Sequence, residues 1–290
     1  MHVFGRPPTR LRYGAYIDTL SGGNHHPVLC ELETEHGEPA GNWVVKPQIS
    51  VTMGNRRTKL GILSELACAD ICSWVGIHTP EIGLMRFPDD LDKEELDSLP
   101  DQVQQSFRVN RSELAFCSRH LEGATDVDPA SFRQSPYLLQ ALRRVGPLLL
   151  MLDIYLWHDD RTLPNPNALL WRYDIVAIDH GSAFATICEP REGKSLAGTT
   201  VVPPKRIKNH LLYAQLRRRR RESLDFDVFV RRIARLTDEK IDLVCGNWPA
   251  ELDEPTVSSS TTRIELRAFL EARRSVVEAL AAQVKSVVGV

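Results

Sequence analysis

No run of apolar residues in this 290-residue chain is long enough to cross a bilayer. The longest, Val145 to Ile154, is interrupted by Gly146, Pro147 and Asp153, whereas a spanning helix needs about 20 apolar residues. The opening MHVFGRPPTRLRYG lacks the apolar core of a signal peptide, so a cytoplasmic protein with no membrane span is expected. Charge of one sign is also missing. The chain has 36 Lys and Arg against 38 Asp and Glu, a net charge of −2, so no global basic field draws it to nucleic acid. Six cysteines are present, but none forms a CxxC pair. Cys68 and Cys72 stand four apart with no histidine at metal-ligand spacing, and all six are expected to be buried thiols in a reducing compartment. No internal repeat is visible. With 42% hydrophobic residues, the chain can build one large domain or two lobes that share a cleft.

The N-terminal part reads as strands. Tyr13 to Asp18 alternates, SGGNHHP makes a loop, Val28 to Thr34 resumes, HGEPAG turns, and Trp43 to Lys46 forms a third strand. From about Thr58 the period becomes helical, with Leu60, Leu63, Ala67, Ile71 and Trp74 on one face and Gly76 as the stop. Residues 87–110 are acidic and polar, and are expected to be a surface insertion with one short helix. Glu113 to Ser118 is again a strand. Ser131 to Val145 and Pro147 to Trp157 are predicted as two helices, the second apolar almost all round and therefore central. Asn167 to Trp171 and Ile175 to Ile178 suit a hairpin. Lys194 to Pro204 is a loop, followed by helices over His210 to Arg221, Phe226 to Leu236 and Ile264 to Val288. Strands with one helix first, then mostly helices, give an α+β chain of two lobes, 1–117 and 118–290.

Chemistry concentrates in LWHDDRTLPNPNALLWRYDIVAIDHGSAF, residues 156–184. Asp160, Asn165 and Asp179 carry the oxygen donors that hard cations prefer. Phosphoryl transfer needs one carboxylate to orient the attacking hydroxyl, and an amide with a second carboxylate to hold magnesium against the phosphates. A solvated surface turn is the plain alternative, because Asp and Asn are common in turns. The N-terminal half adds three pieces in the order of a kinase small lobe. Ser21, Gly22 and Gly23 form a loop whose backbone amides can approach an anion. Lys46 ends an apolar strand, and Glu65 lies on the following helix. His158 and His180 flank the acids, where either can hydrogen-bond a metal ligand.

On SGGNHHP (21–27), WVVKP (43–47), the Glu65 helix running into GIHTPE (76–81), and DRTLPN with IDHG (160–165, 178–181), the chain resembles the HipA-like kinases. These are a bacterial branch of the protein-kinase-like fold, related in catalytic layout to phosphatidylinositol kinases. The resemblance covers roughly residues 12–190. It implies a bilobal α+β fold, with a small β-rich nucleotide-binding N-lobe and a larger, mostly helical C-lobe. Asp160 becomes the catalytic base, and Asn165 and Asp179 the Mg2+ ligands. Lys46 contacts the ATP phosphates with Glu65 as its partner, and Phe116 and Cys117 form the hinge beside adenine. Thr162 departs from the family pattern, in which many relatives have histidine. Ser21 becomes a candidate for autophosphorylation. The expected activity is ATP-dependent phosphorylation of Ser or Thr in a protein substrate. A small-molecule or lipid kinase and a non-catalytic nucleotide-binding regulator remain as alternatives. The run Arg217 to Arg221 is read as a solvated helix end offset by Glu222, Asp225 and Asp227 rather than as a nucleic-acid patch.

Overall fold

A computed structural model describes residues 1–20, 27–46, 51–53, 56–58, 60–89, 91, 93–184, 198–252 and 262–290. Ser21, Gly22 and Gly23 lie outside them, as do His25, His26 and Cys188. The chain divides into two compact units. One comprises Pro7–Ile62 and Pro80–Glu122. The other comprises Met1–Arg6, Leu63–Thr79 and Gly123–Val290. The sequence reading draws a single boundary after residue 117, whereas here residues 63–79 group with the C-terminal part.

The first unit is built from strands β1 (Thr9–Thr19), β2 (Val28–Thr34), β3 (Pro39–Lys46), β4 (Val51–Met53), β5 (Arg56–Thr58), β6 (Ile82–Arg86) and β7 (Leu114–Arg119). Five of them close a barrel in the order β1, β2, β3, β7, β6, while β4 and β5 pair separately. Alternation sends Val28, Cys30 and Leu32 of β2 inward, as the period of two requires. They meet Trp43, Val45, Met85, Ala115 and Cys117. Closure depends on the parallel pairing of β1 with β6. There a side chain on Gly83 would collide with Leu11 and the Thr9 carbonyl, so only glycine lets the strands approach. Burial pushes the Cys30 thiol up to about 12 and raises that of Cys117 well above its ordinary value. Both are inert core residues.

The acidic insertion is not a mere surface excursion. It folds into α2 (Lys93–Ser98) and α3 (Asp101–Val109), and α3 buries Val103 and Phe107. Phe107 stands edge-on to Phe87 at 4.9 Å and to Tyr13 at 5.3 Å. Two apolar residues four apart share one helix face, so a mostly polar segment can still cover the barrel.

In the second unit, α1 (Leu60–Val75) contributes from Leu63 onward. It ends as predicted at Gly76, whose φ of +74° suits glycine and allows Ile77 N–H to reach the Cys72 carbonyl at 2.8 Å. The N-terminal residues dock on this helix. His2 Nε2 lies 2.7 Å from Asp70 Oδ1, and Gly5 N–H donates to the same oxygen.

The two helices predicted over residues 131–157 are one, α4 (Pro136–Tyr155), running through Pro147. An interior proline removes one helical hydrogen bond and normally breaks a helix. Here every residue from Val145 to Tyr155 is buried, and packing on all sides offsets that loss. A three-stranded sheet has the order β10 (Asp174–Ala177), β9 (Ala168–Trp171), β8 (Thr125–Asp126). Helices α5 (Pro204–Asn209), α6 (Tyr213–Arg218), α7 (Asp227–Ala234), α8 (Asp238–Gly246), α9 (Thr262–Ser275) and α10 (Val277–Val288) complete the unit. The sequence reading misses α5 and α8 and treats α9 and α10 as one, although Val276 leaves helical geometry at φ −114°. Among the described residues no helix is long and apolar enough to cross a membrane.

Candidate active site

The site begins where α4 stops. Trp157 adopts φ +57°, which lets Trp157 N–H bond the Ile154 carbonyl and His158 N–H bond the Asp153 carbonyl at 2.8 Å. This is the same helix-ending pattern as at Gly76, but a tryptophan occupies the left-handed position, at a cost of roughly 1–2 kcal/mol. The buried Arg273 holds the turn from outside, donating to the Ile154 and Tyr155 carbonyls at 2.6 and 2.9 Å. The last carbonyls of a helix lack the usual partner four residues on.

One buried carboxylate organises the loop beyond this turn. Asp153 Oδ2 accepts from Arg161 Nε at 2.7 Å and from His210 Nε2 at 2.9 Å, while Oδ1 lies 3.4 Å from His158 Nδ1. Burial alone would raise the Asp153 pKa. The Arg161 guanidinium, aided by His158 and His210, instead holds it well below the ordinary value. Leu212 N–H donates to His210 Nδ1 at 3.1 Å, so the proton of this imidazole sits on Nε2 and points at Asp153. Leu211 N–H also donates to the Arg161 carbonyl at 3.0 Å. The segment after α5 therefore clasps the loop beside Asp160.

Asp160 is exposed and held by its own loop. Asn167 Nδ2 donates to Asp160 Oδ2 at 3.2 Å, from a buried position with φ +44°. Thr162 N–H closes onto the Asn165 carbonyl at 2.9 Å, and Asn165 is half-buried. Three bonds tie this loop to the segment carrying Asp179. Ile178 N–H reaches the Asn167 carbonyl at 3.1 Å, Arg161 Nη1 the Ile178 carbonyl at 3.4 Å, and His158 Nε2 the Asp179 carbonyl at 3.2 Å. Asp179 itself is half-buried with φ +55°.

Helix α1 supports the same segment. Glu65 Oε2 accepts His180 N–H at 2.9 Å, and Ser64 Oγ donates to the Ala183 carbonyl at 2.9 Å. His180 Nδ1 lies 3.4 Å from Arg161 Nη2, and its Nε2 3.7 Å from Cys72 Sγ. Asp160, Asn165 and Asp179, picked out by spacing, thus belong to one bonded arrangement together with Glu65.

Lys46, Phe116 and Cys117 belong to the barrel unit. Lys46 stands opposite Phe116 and Val45 opposite Cys117 in the β3–β7 register, and the Lys46 ammonium lies 6.0 Å from the Phe116 ring centroid. Sequence reasoning passed over Asp153, Asn167 and His210. Asp153 did carry a signal: a lone acid inside LLLMLDIYL is rarely buried without a partner. Asn167 and His210 carried none, because their partners are set by the fold.

Asn165 and Asp179, the residues read from the sequence as metal ligands, both offer oxygen donors. Among the described residues no group of three or more His, Cys, Asp or Glu could hold a metal ion. One or two protein oxygens, completed by phosphate and water, suit magnesium. Compared with known proteins, the chain matches no family model and no curated protein. Among solved structures it is similar to the Helicobacter pylori proinflammatory kinase CtkA, at 14% identity and a TM-score of 0.56, over 97% of this chain and 98% of that one. The chain therefore shares its fold with a kinase.

Proposed function

We propose that the chain is an ATP- and magnesium-dependent phosphotransferase of the HipA-like type, acting on the Ser or Thr hydroxyl of a protein. The observation that carries this reading is the arrangement around Asp153. One buried carboxylate links the residues flanking Asp160 to those flanking Asp179, and so supports the two positions that phosphoryl transfer must keep in register. Asn167 holds one oxygen of Asp160, so the other is available to take the proton of an acceptor hydroxyl. Asn165 and Asp179 would hold magnesium, which when bound neutralises charge on the transferring phosphoryl group. His158 and Arg161 fix the backbone on either side of Asp179, which orients that carboxylate without touching nucleotide. Lys46 would contact the phosphates, and backbone groups of Phe116 and Cys117 would face adenine. The amides of Ser21, Gly22 and Gly23 would cover the phosphates.

Purified protein with labelled ATP tests the reading, with and without magnesium and with generic protein acceptors. Label should appear on Ser or Thr only with magnesium, and Asp160→Asn should lower the rate by about 10²–10⁴. Tight magnesium-ATP binding with no turnover by the unaltered protein would replace this reading with a nucleotide-binding regulator.

A further inference from the structure

Arg206, on α5, is not used by the arrangement above. Its guanidinium lies 4.3 Å from the centre of the Trp157 ring, and its side chain is only 10% exposed. Nη1 lies 3.3 Å from Asp159 Oδ2. Nε and Nη2 are buried and have no hydrogen-bond partner among the described residues. Those two nitrogens form the edge of a guanidinium that binds a carboxylate or phosphate through two parallel hydrogen bonds. Buried donors in proteins are almost always satisfied, so a buried, unfilled fork calls for an acceptor of matching shape.

Local charge points the same way. Arg273 approaches the same indole at 5.6 Å and spends its N–H groups on the neutral carbonyls of Ile154, Tyr155 and Thr199. Two guanidinium ions therefore share one aromatic ring, and the carboxylate in contact is Asp159, which is 66% exposed. A solvent-screened pair of that kind is weak, and an incoming oxyanion can displace it. Burial lowers the Arg206 pKa and repulsion from Arg206 contributes to the lowering at Arg273. At both residues burial is the largest cause, and at Arg206 it outweighs the attraction of Asp159 and Asp153.

The geometry points to Arg206 as an oxyanion-binding residue that selects acceptor segments bearing a carboxylate or phosphate close to the phosphorylated hydroxyl. This rests on the phosphotransferase reading, with Asp160 facing the hydroxyl. Asp159 adjoins Asp160, and consecutive Cα atoms are about 3.8 Å apart. Asp159 meets Nη1 and not the buried Nε–Nη2 edge, so an oxyanion of the acceptor segment would reach Arg206 by taking Nη1 from Asp159, next to the residue that faces the hydroxyl and so one or two places from the acceptor.

The test is a library of Ser- and Thr-centred peptides with magnesium-ATP, in which each flanking position is varied in turn through Ala, Lys, Asp, Glu and phosphoserine. The unaltered protein should favour an anionic residue one or two places from the acceptor by about tenfold over Ala. The Asp and phosphoserine arms tell which oxyanion it takes. Within Arg206→Gln the ratio of anionic to Ala peptides should fall to about one, a comparison that overall activity cancels from. Should Arg206→Gln not fold, Asp159→Asn supplies a second reading. It removes the competing carboxylate at an exposed position and should raise the anionic preference. Peptide phosphorylation with no anionic preference, or a preference unchanged in both variants, overturns the proposal. So does ATP consumption in which no library peptide accepts phosphate. Absence of any magnesium-dependent ATP turnover is a different failure, that of the phosphotransferase reading itself.

Discussion

Asp179 and Trp157 both lie in the left-handed region that side chains other than Gly, Asn and Asp rarely enter. For Asp179 this separates charge from conformation. Asp179→Asn keeps a residue that tolerates φ +55°, whereas Asp179→Ala adds backbone strain. Both should abolish magnesium-dependent ATP turnover, but only Asp179→Ala should also lower the melting temperature; equal melting temperatures would sink the strain argument. Asp153 differs, because its removal leaves Arg161 buried and unpaired. Asp153→Ala should cost about 3–5 kcal/mol, read from denaturant unfolding, and a loss below about 1 kcal/mol would refute its central place. The pH dependence comes from His210. Burial, the largest influence on this imidazole and only partly opposed by Asp153, holds its pKa below 6.5. The unfolded chain then binds more protons between the folded value and 6.5, so the His210 contribution is full above that pH and shrinks as pH falls. Asp153, held well below 3.8, loses its contribution only in much stronger acid. Unfolding midpoints should therefore fall from about pH 7 to about pH 5, and His210→Gln should flatten that slope. Asp160, Asn165 and Asp179 fall within twenty residues of one another, close enough for a pattern along the chain to single them out as candidates. Asp153 and His210 are 57 residues apart, and no local pattern marks such a pair.

Elements were legible where composition and environment agreed. β2 matches its expected bounds because inward and outward residues alternate cleanly. The hairpin after Asn167 was expected, with its turn at Arg172 and Tyr173, both at positive φ. A two-residue turn of this kind favours Asn-Gly, so replacing Arg172 with Asn and Tyr173 with Gly should stabilise the protein by about 1 kcal/mol. The gain must exceed the loss of the Arg172–Trp171 stack at 4.2 Å and the Tyr173–Tyr137 contact at 5.4 Å. A lower melting temperature would show that those contacts, and not the turn, dominate. Helix lengths were less legible, because burial can carry a helix through Pro147 and no proline or glycine announces the break at Val276. The arginine run reads differently in three dimensions. Glu222 pairs with Arg143, Asp225 with Arg231 and Asp227 with Lys285, so the acids expected to offset Arg217 to Arg221 serve other cations.

At the scale of the molecule, the division of the chain matters more than its length. The second unit needs Leu63–Thr79 as well as Gly123–Val290, because Ser64, Glu65 and Cys72 reach the segment after Asp179. A fragment of residues 118–290 should lack cooperative unfolding and be cut readily by protease. A sharp transition matching that of the whole protein would contradict this. Strand content and the order of motifs were readable from sequence, but the allegiance of α1 was not, because its apolar face does not name its neighbour.

That interleaving also bears on how the protein is made. The barrel unit ends at Glu122 and can close while most of the chain is still unsynthesised. Helix α1, whose Leu63, Leu66, Ile71 and Val75 are fully or almost fully covered in the finished protein, must wait for partners as late in the chain as Ala183, Arg232 and Asn247. At about 5–20 residues per second, that wait lasts roughly ten seconds or more. Through that interval the nascent chain presents an uncovered apolar helix at the ribosome, where holding chaperones compete with aggregation for it.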